Sequence, residues 1–169
     1  GGEVMSLMLK NTNYPVVALT GDVAASSGYL IASGADTIIA SPFSDIGSIG
    51  VTMSYLTNFK QNEYDGLEYV PLTSAPFKDY MSPNKPLTDE ERALLERDLK
   101  IYHDSFVAMV SKNRNLGVED VARLADGASM PASLALEAGL IDAIGNESDA
   151  RAWFAETLSL SLEEVILCE

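Results

Sequence analysis

The chain reads as an α/β domain, with parallel strands flanked by helices. Three observations carry this reading. Short apolar runs without alternation occur at 15–20 and 37–40, as in strands buried on both faces. Segments with helical spacing lie between and after them. Apolar residues make up 47% of the 169 residues, enough to build a core, which excludes disorder by composition.

Residues 4–10 predict a weak helix with Val4, Leu7 and Met8 on one face. Asn11, Thr12 and Asn13 make a polar turn before the first strand. The small residues of 24–33 predict a short buried helix closed by Gly34. Thr37-Ile38-Ile39-Ala40 is the second buried strand. Pro42 and the 47–50 segment are turns, and 51–55 is expected to be a third strand. Residues 67–72 are expected at a sheet edge, because Pro71 cannot donate to a ladder. Residues 74–86 carry three prolines and read as a loop.

Thr88-Asp89-Glu90-Glu91 fits a capping box, with Thr88 as N-cap and Glu91 at the third helical position. Leu95, Leu99, Tyr102, Phe106 and Met109 follow at helical spacing, one apolar stripe that runs to Lys112. Further helices are expected at 118–125, from Pro131 to a stop at Gly139, and from a Ser148 cap to Leu158. Residues 165–167 are expected as a last strand. No repeat, low-complexity tract or linker divides the chain, so residues 1–169 are read as a single domain.

Charge excludes several functions. Lys and Arg number 11 against 25 Asp and Glu, a formal net charge of −14. The cations are scattered, which argues against binding a phosphate backbone and against a polybasic membrane anchor. The lone Cys168 supplies neither a disulfide framework nor a zinc cluster. The single His, His103, is read as a partly exposed helix residue, which leaves Ser-His-Asp chemistry without a base. No cofactor and no metal are expected. No signal peptide and no membrane span are visible. The abrupt start without Met reads as an excised domain that has lost any anchor.

Gly21-Asp22-Val23-Ala24-Ala25-Ser26-Ser27-Gly28 runs from a strand into a sharp turn of small residues, with a serine where a helix begins. Such a helix start offers free N–H groups and a partial positive charge, an oxyanion site beside a nucleophile. An ordinary serine N-cap has the same local pattern. A serine hydroxyl needs a base. Lysine can serve when burial lowers its pKa toward neutrality. Lys78 stands in apolar company, Ala75-Pro76-Phe77, either as such a base or as a loop lysine with its stem on Phe77. Gly47-Ser48-Ile49-Gly50 is a turn, or a turn whose hydroxyl holds another side chain in a site.

Several blocks occur in order over 15–145. They are Ala24-Ala25-Ser26-Ser27-Gly28-Tyr29, Ala35-Asp36, Ile46-Gly47-Ser48-Ile49-Gly50-Val51 and Ser74-Ala75-Pro76-Phe77-Lys78-Asp79, then the Thr88 helix start, Ala125-Asp126-Gly127 and Ala135-Leu136-Glu137-Ala138-Gly139-Leu140-Ile141-Asp142. Together they resemble the signal peptide peptidase A family, the S49 serine peptidases. The resemblance implies a ClpP/crotonase-like fold, with its first strands missing here, and a serine endopeptidase that needs no cofactor. By position it makes Ser26 the nucleophile, Lys78 the general base and Ser48 the residue that orients the lysine. It gives the oxyanion N–H groups to Ser27 and Gly2.

Three departures stand out. Ser27 replaces a glycine and sets a rival nucleophile beside Ser26. Ala75-Pro76 replaces a glycine-containing pair before the base. Gly1-Gly2 is read as the remnant of a serine-proline-glycine-glycine block, yet only twelve residues separate Gly2 from Pro15.

The resemblance further implies a peptide substrate, apolar as remnant signal peptides are, extended along a strand edge with 51–56 as one flank. It implies a homo-oligomer at a bacterial or archaeal cell membrane. The catalytic domain would be extracytoplasmic, held by a segment absent here, with no nucleic-acid partner. Related readings are a stomatin-cleaving membrane protease and a phage head-maturation protease. Readings of another class are a crotonase-like acyl-CoA enzyme, which would bind CoA and ignore peptides, and an inactive scaffold, which would ignore serine probes.

Overall fold

A computed structural model describes residues 1–166. Cys168 and the last residue of the expected 165–167 strand lie outside the described residues. Two compact units are present: Gly1–Gly50 with the residues from Asp104 on, and Val51–His103.

The first unit opens with α1 (Gly2–Lys10), followed by β1 (Val17–Thr20), β2 (Val23–Ala25), α2 (Ser27–Ala32), β3 (Thr37–Ala40) and β4 (Asp45–Gly47). β1 and β3 pair in parallel, Val17 opposite Thr37, and β3 pairs in parallel with β6 (Ala143–Ile144). A second sheet pairs β2 with β4 in parallel, and β4 with β5 (Ser129–Pro131) antiparallel. The first sheet is therefore all parallel and the second mixed. β3 is buried at all four positions, as expected of a strand without polar alternation. β1 is a sheet edge, and its Leu19 is exposed.

The core of this unit gathers Tyr29, Ile38, Ile46, Val110, Val121 and Leu140, among others. Full burial of each such side chain is worth roughly 1.5–3 kcal/mol. The Tyr29 hydroxyl donates to the Leu140 carbonyl at 2.9 Å, and burial pushes its phenol well up. Arg114 donates to both Asp142 carboxylate oxygens and to the Gly139 carbonyl. Burial alone would raise the Asp142 pKa, but Arg114 and the Ile38 N–H hold it below the usual carboxylate range.

The second unit holds α3 (Phe59–Tyr64) and the start of α4 (Asp89–Arg114), which ends in the first unit. The expected box caps α4: Thr88 Oγ1 accepts from Glu91 N at 3.2 Å, and Glu91 accepts from Thr88 N at 3.0 Å. Glu91 is buried and paired with Lys85, which holds its carboxyl below the usual range. After α4 come α5 (Val118–Leu124), α6 (Ala132–Glu137) and α7 (Glu147–Leu158).

Several expectations are corrected. Residues 51–55 and 67–72 form no strand, and Val165 and Ile166 form none either. The inner residue of α1 is Ser6, while Val4, Leu7 and Met8 face outward, because α1 is seated by hydrogen bonds rather than by an apolar face. Tyr102 is 57% exposed, and α4 buries Leu95, Phe106, Val107 and Val110 instead. The cap of α7 is Asn146, whose side chain accepts from Ser148 N at 2.8 Å. Gly34 does not close α2 as a left-handed cap; its role is one of space, described below.

Candidate active site

The turn at Ser26 is set by a strand register. β2 and β4 run parallel with Ala25 opposite Gly47. One residue further, Ser26 N donates to the Gly47 carbonyl at 2.7 Å. Ser26 then takes φ 53 and ψ −125, and Ser48, just past β4, takes φ 49. Side chains other than glycine rarely adopt such values, at a cost of about 1–3 kcal/mol each. The ladder imposes them, because Ala24 and Ile46 are buried opposite each other and a slip by one residue would expose both.

Ser26 holds the N-cap position of α2, yet its hydroxyl makes no capping hydrogen bond and the residue is exposed. The ordinary reason for a serine at a helix start is therefore absent. Sharp strand-to-helix turns of this kind project a serine clear of the sheet. Ser27 is also exposed, but it lies inside the helix, where its N–H is the first of the donors without an intrahelical partner.

Ser48 is half-buried, and its hydroxyl donates to the Gly127 carbonyl at 3.0 Å. The surrounding backbone is tied down: Ser48 N donates to Ala128 O at 2.9 Å and Gly127 N to Ile49 O at 3.1 Å. With its proton committed to Gly127, the Ser48 oxygen keeps lone pairs for another donor.

Gly2 lies against Ser27. A Cβ on Gly2 would come 3.1 Å from Ser27 Cβ and 3.2 Å from the Ser27 carbonyl oxygen. Three buried side chains hold α1 in this place: Asn113 Nδ2 donates to Ser6 Oγ at 2.9 Å and to Ser33 Oγ at 3.0 Å, and Ser33 Oγ donates to Leu30 O at 2.7 Å. Lys10 Nζ adds a bond to the Asn113 carbonyl at 3.3 Å. Gly34 allows the approach, since a Cβ there would meet the Ser6 backbone, 3.0 Å from its C and its Cα. Ser6, Ser33, Asn113 and Gly34 escape sequence reasoning. Their only local signal is a glycine after a run of small residues, which reads equally well as a helix stop.

Lys78 belongs to the second unit. It is exposed on a turn where Lys78 N donates to Ala75 O at 3.1 Å and Tyr80 N to Phe77 O at 3.4 Å. Phe77 is itself 45% exposed, so the expected apolar cover is thin. The first unit thus brings Ser26, Ser27, Ser48 and Gly2 into one neighbourhood, and Lys78 belongs to the second.

The fold places the chain with ClpP-like α/β proteins. A ClpP1 mutant from Listeria monocytogenes superposes with a TM-score of 0.57 at 11% identity, covering 88% of this chain and 67% of that one, a likeness of fold. The chain belongs to peptidase family S49, which matches residues 8–161. It is 37% identical over 152 residues to a Synechocystis protein named "putative protease", covering 90% of this chain and 55% of that protein. It is 35% identical over 142 residues to the "putative signal peptide peptidase SppA" of Enterococcus faecium, covering 84% of this chain and 41% of that protein. The chain thus spans about half the length of the curated relatives it matches. Membership of a protease family agrees with a serine peptidase. No helix among the described residues is long and apolar enough to cross a membrane.

Proposed function

We propose that the protein is a serine endopeptidase in which Ser26 is the nucleophile and Lys78 the general base. The observation that carries this reading is the backbone of Ser26: an exposed serine in a strained strand-to-helix turn, with a hydroxyl that caps nothing. Strain kept at a polar, accessible side chain points to a use for that side chain.

Neutral Lys78 Nζ takes the proton from Ser26 Oγ, and Oγ attacks the substrate carbonyl. The N–H of Ser27, with backbone from the Gly2 block, holds the oxyanion. Lys78 then returns the proton to the leaving amine, and a water repeats the cycle on the acyl-enzyme. Ser48 orients the lysine by accepting an N–H from Nζ, a role suited to a hydroxyl whose own proton is on Gly127. No step requires a cofactor.

The substrate is an extended apolar peptide, as remnant signal peptides are. Support comes from the name of the Enterococcus relative and from residues 51–56, which form no ladder and so offer backbone to a peptide. The whole chain acts as one catalytic domain, in a homo-oligomer at the outer face of a bacterial or archaeal membrane.

The test is labelling by a fluorophosphonate probe, which reacts with activated serines. The parent and Ser27→Ala should label; Ser26→Ala and Lys78→Ala should not. Labelling that survives Ser26→Ala, or full peptidase activity in Lys78→Ala, refutes the assignment.

A further inference from the structure

The turn that carries Lys78 is held by a side-chain clamp. Tyr69 Oη donates to Asp79 Oδ1 at 2.8 Å, and Asp79 is the residue after Lys78. Backbone turns bracket the lysine on both sides, with Lys78 N on Ala75 O and Ser82 N on Asp79 O at 3.3 Å. Those bonds shape the turn but do not attach it to anything else. Among the described residues, the Tyr69–Asp79 bond is the side-chain hydrogen bond that joins this turn to another segment.

The second carboxylate oxygen makes the clamp unusual. Asp79 Oδ2 is buried and has no hydrogen-bond partner. A buried acceptor without a donor is costly, and native structures keep few of them. Here the Tyr69 hydroxyl is what holds the carboxylate inside. Without that donor, nothing on the carboxylate offsets the loss of water at the buried Oδ2. The carboxylate would swing to solvent, and the adjoining Lys78 backbone would move with it.

We infer that Tyr69 and Asp79 are positioning residues for Lys78, a clamp that fixes the turn from which the lysine reaches its proton. The inference rests on Lys78 being the general base. Placement of a catalytic group matters steeply: a misplacement of about 1 Å can cost on the order of 10²-fold in rate. The clamp touches no reacting atom, so its loss slows the chemical step and leaves peptide binding in place.

The test compares Tyr69→Phe, Asp79→Ala, Asp79→Asn, the Tyr69→Phe/Asp79→Ala double variant and Lys78→Ala in the intact protein. The readouts are kcat and KM on a quenched-fluorescent apolar peptide. Tyr69→Phe and Asp79→Ala should each lower kcat about tenfold or more with KM within about twofold, the mark of an effect on the chemical step. The double variant should be no slower than the worse single one, because both remove the same bond. Asp79→Asn keeps an oxygen to accept from Tyr69 and should recover most of the rate lost in Asp79→Ala. Unchanged kcat in Tyr69→Phe beside an inactive Lys78→Ala overturns the clamp and leaves the dyad standing. So do additive losses in the double variant, or a failure of Asp79→Asn to recover rate. An active Lys78→Ala overturns both.

Discussion

Substitution of Gly34 by Ala tests the seating of α1 most directly. At a glycine with an ordinary backbone, this exchange stabilises by about 0.4–1 kcal/mol through the unfolded chain. Gly34 has no positive φ, so dihedral strain does not enter. The added Cβ would instead fall within the Ser6 carbonyl oxygen and 3.0 Å from Ser6 C and Cα. Carbon and carbonyl oxygen normally stay ~3.3 Å apart or more, so α1 must withdraw by about 1 Å. The obstacle is backbone, which cannot rotate away, and overpacking of this kind costs about 1–3 kcal/mol. For a chain of this length, that lowers Tm by about 2–12 °C. Withdrawal also lengthens the Asn113 bond to Ser6 and carries Gly2 off Ser27, which should slow probe labelling of Ser26 by on the order of tenfold to 10²-fold. Thermal unfolding and labelling rates are measured side by side, with Gly21→Ala as control, since a Cβ at Gly21 meets nothing within 4 Å. A Gly34→Ala protein as stable as the parent, or more stable, sinks the reasoning, because only the clash with Ser6 reverses the sign.

Three other outcomes are expected. Ser48→Ala and Ser48→Gly should both lose at least about tenfold in labelling rate, as removal of a group that aids proton transfer does; Ser48→Gly should be the more stable of the two in thermal unfolding, since glycine takes φ 49 freely. Tyr29→Phe leaves the Leu140 carbonyl without its donor and should cost about 1–3 kcal/mol in urea unfolding. Lys85 and the Thr88 N–H hold Glu91 below its ordinary value of 4.5, so its contribution is complete above that pH and fades as pH falls through the depressed folded value. Stability measured by denaturant from about pH 3 to 7 should therefore fall on the acid side, and Glu91→Gln should flatten that fall.

What the sequence makes legible is local. The capping box at Thr88 and Glu91 involves residues three apart, and β3 is a threonine followed by three apolar residues; both can be read where they stand. The buried face of α1 cannot be read that way, because Ser6 is held by Asn113, 107 positions away. Residues 51–55 and 67–72 have strand composition but form no ladder, and strand preference depends on a neighbour to pack against. The serine of the candidate site is visible as a residue type. Its strain is not, since φ at Ser26 is fixed by the pairing of Ala25 with Gly47 across the sheet. The resemblance to the S49 peptidases carries that information indirectly, and it is what turns Lys78 from a loop lysine in apolar company into the expected base.

The contacts that seat α1 beside Ser27 are two hydroxyls, an amide and a carbonyl, with the charged Lys10 joined only at the rim. None of those inner groups gains or loses a proton in the working range, and their burial shields them from added salt. The frame behind the nucleophile is thus electrically silent. The seat of α1 therefore adds no ionisation of its own to a pH–rate curve recorded on this protein.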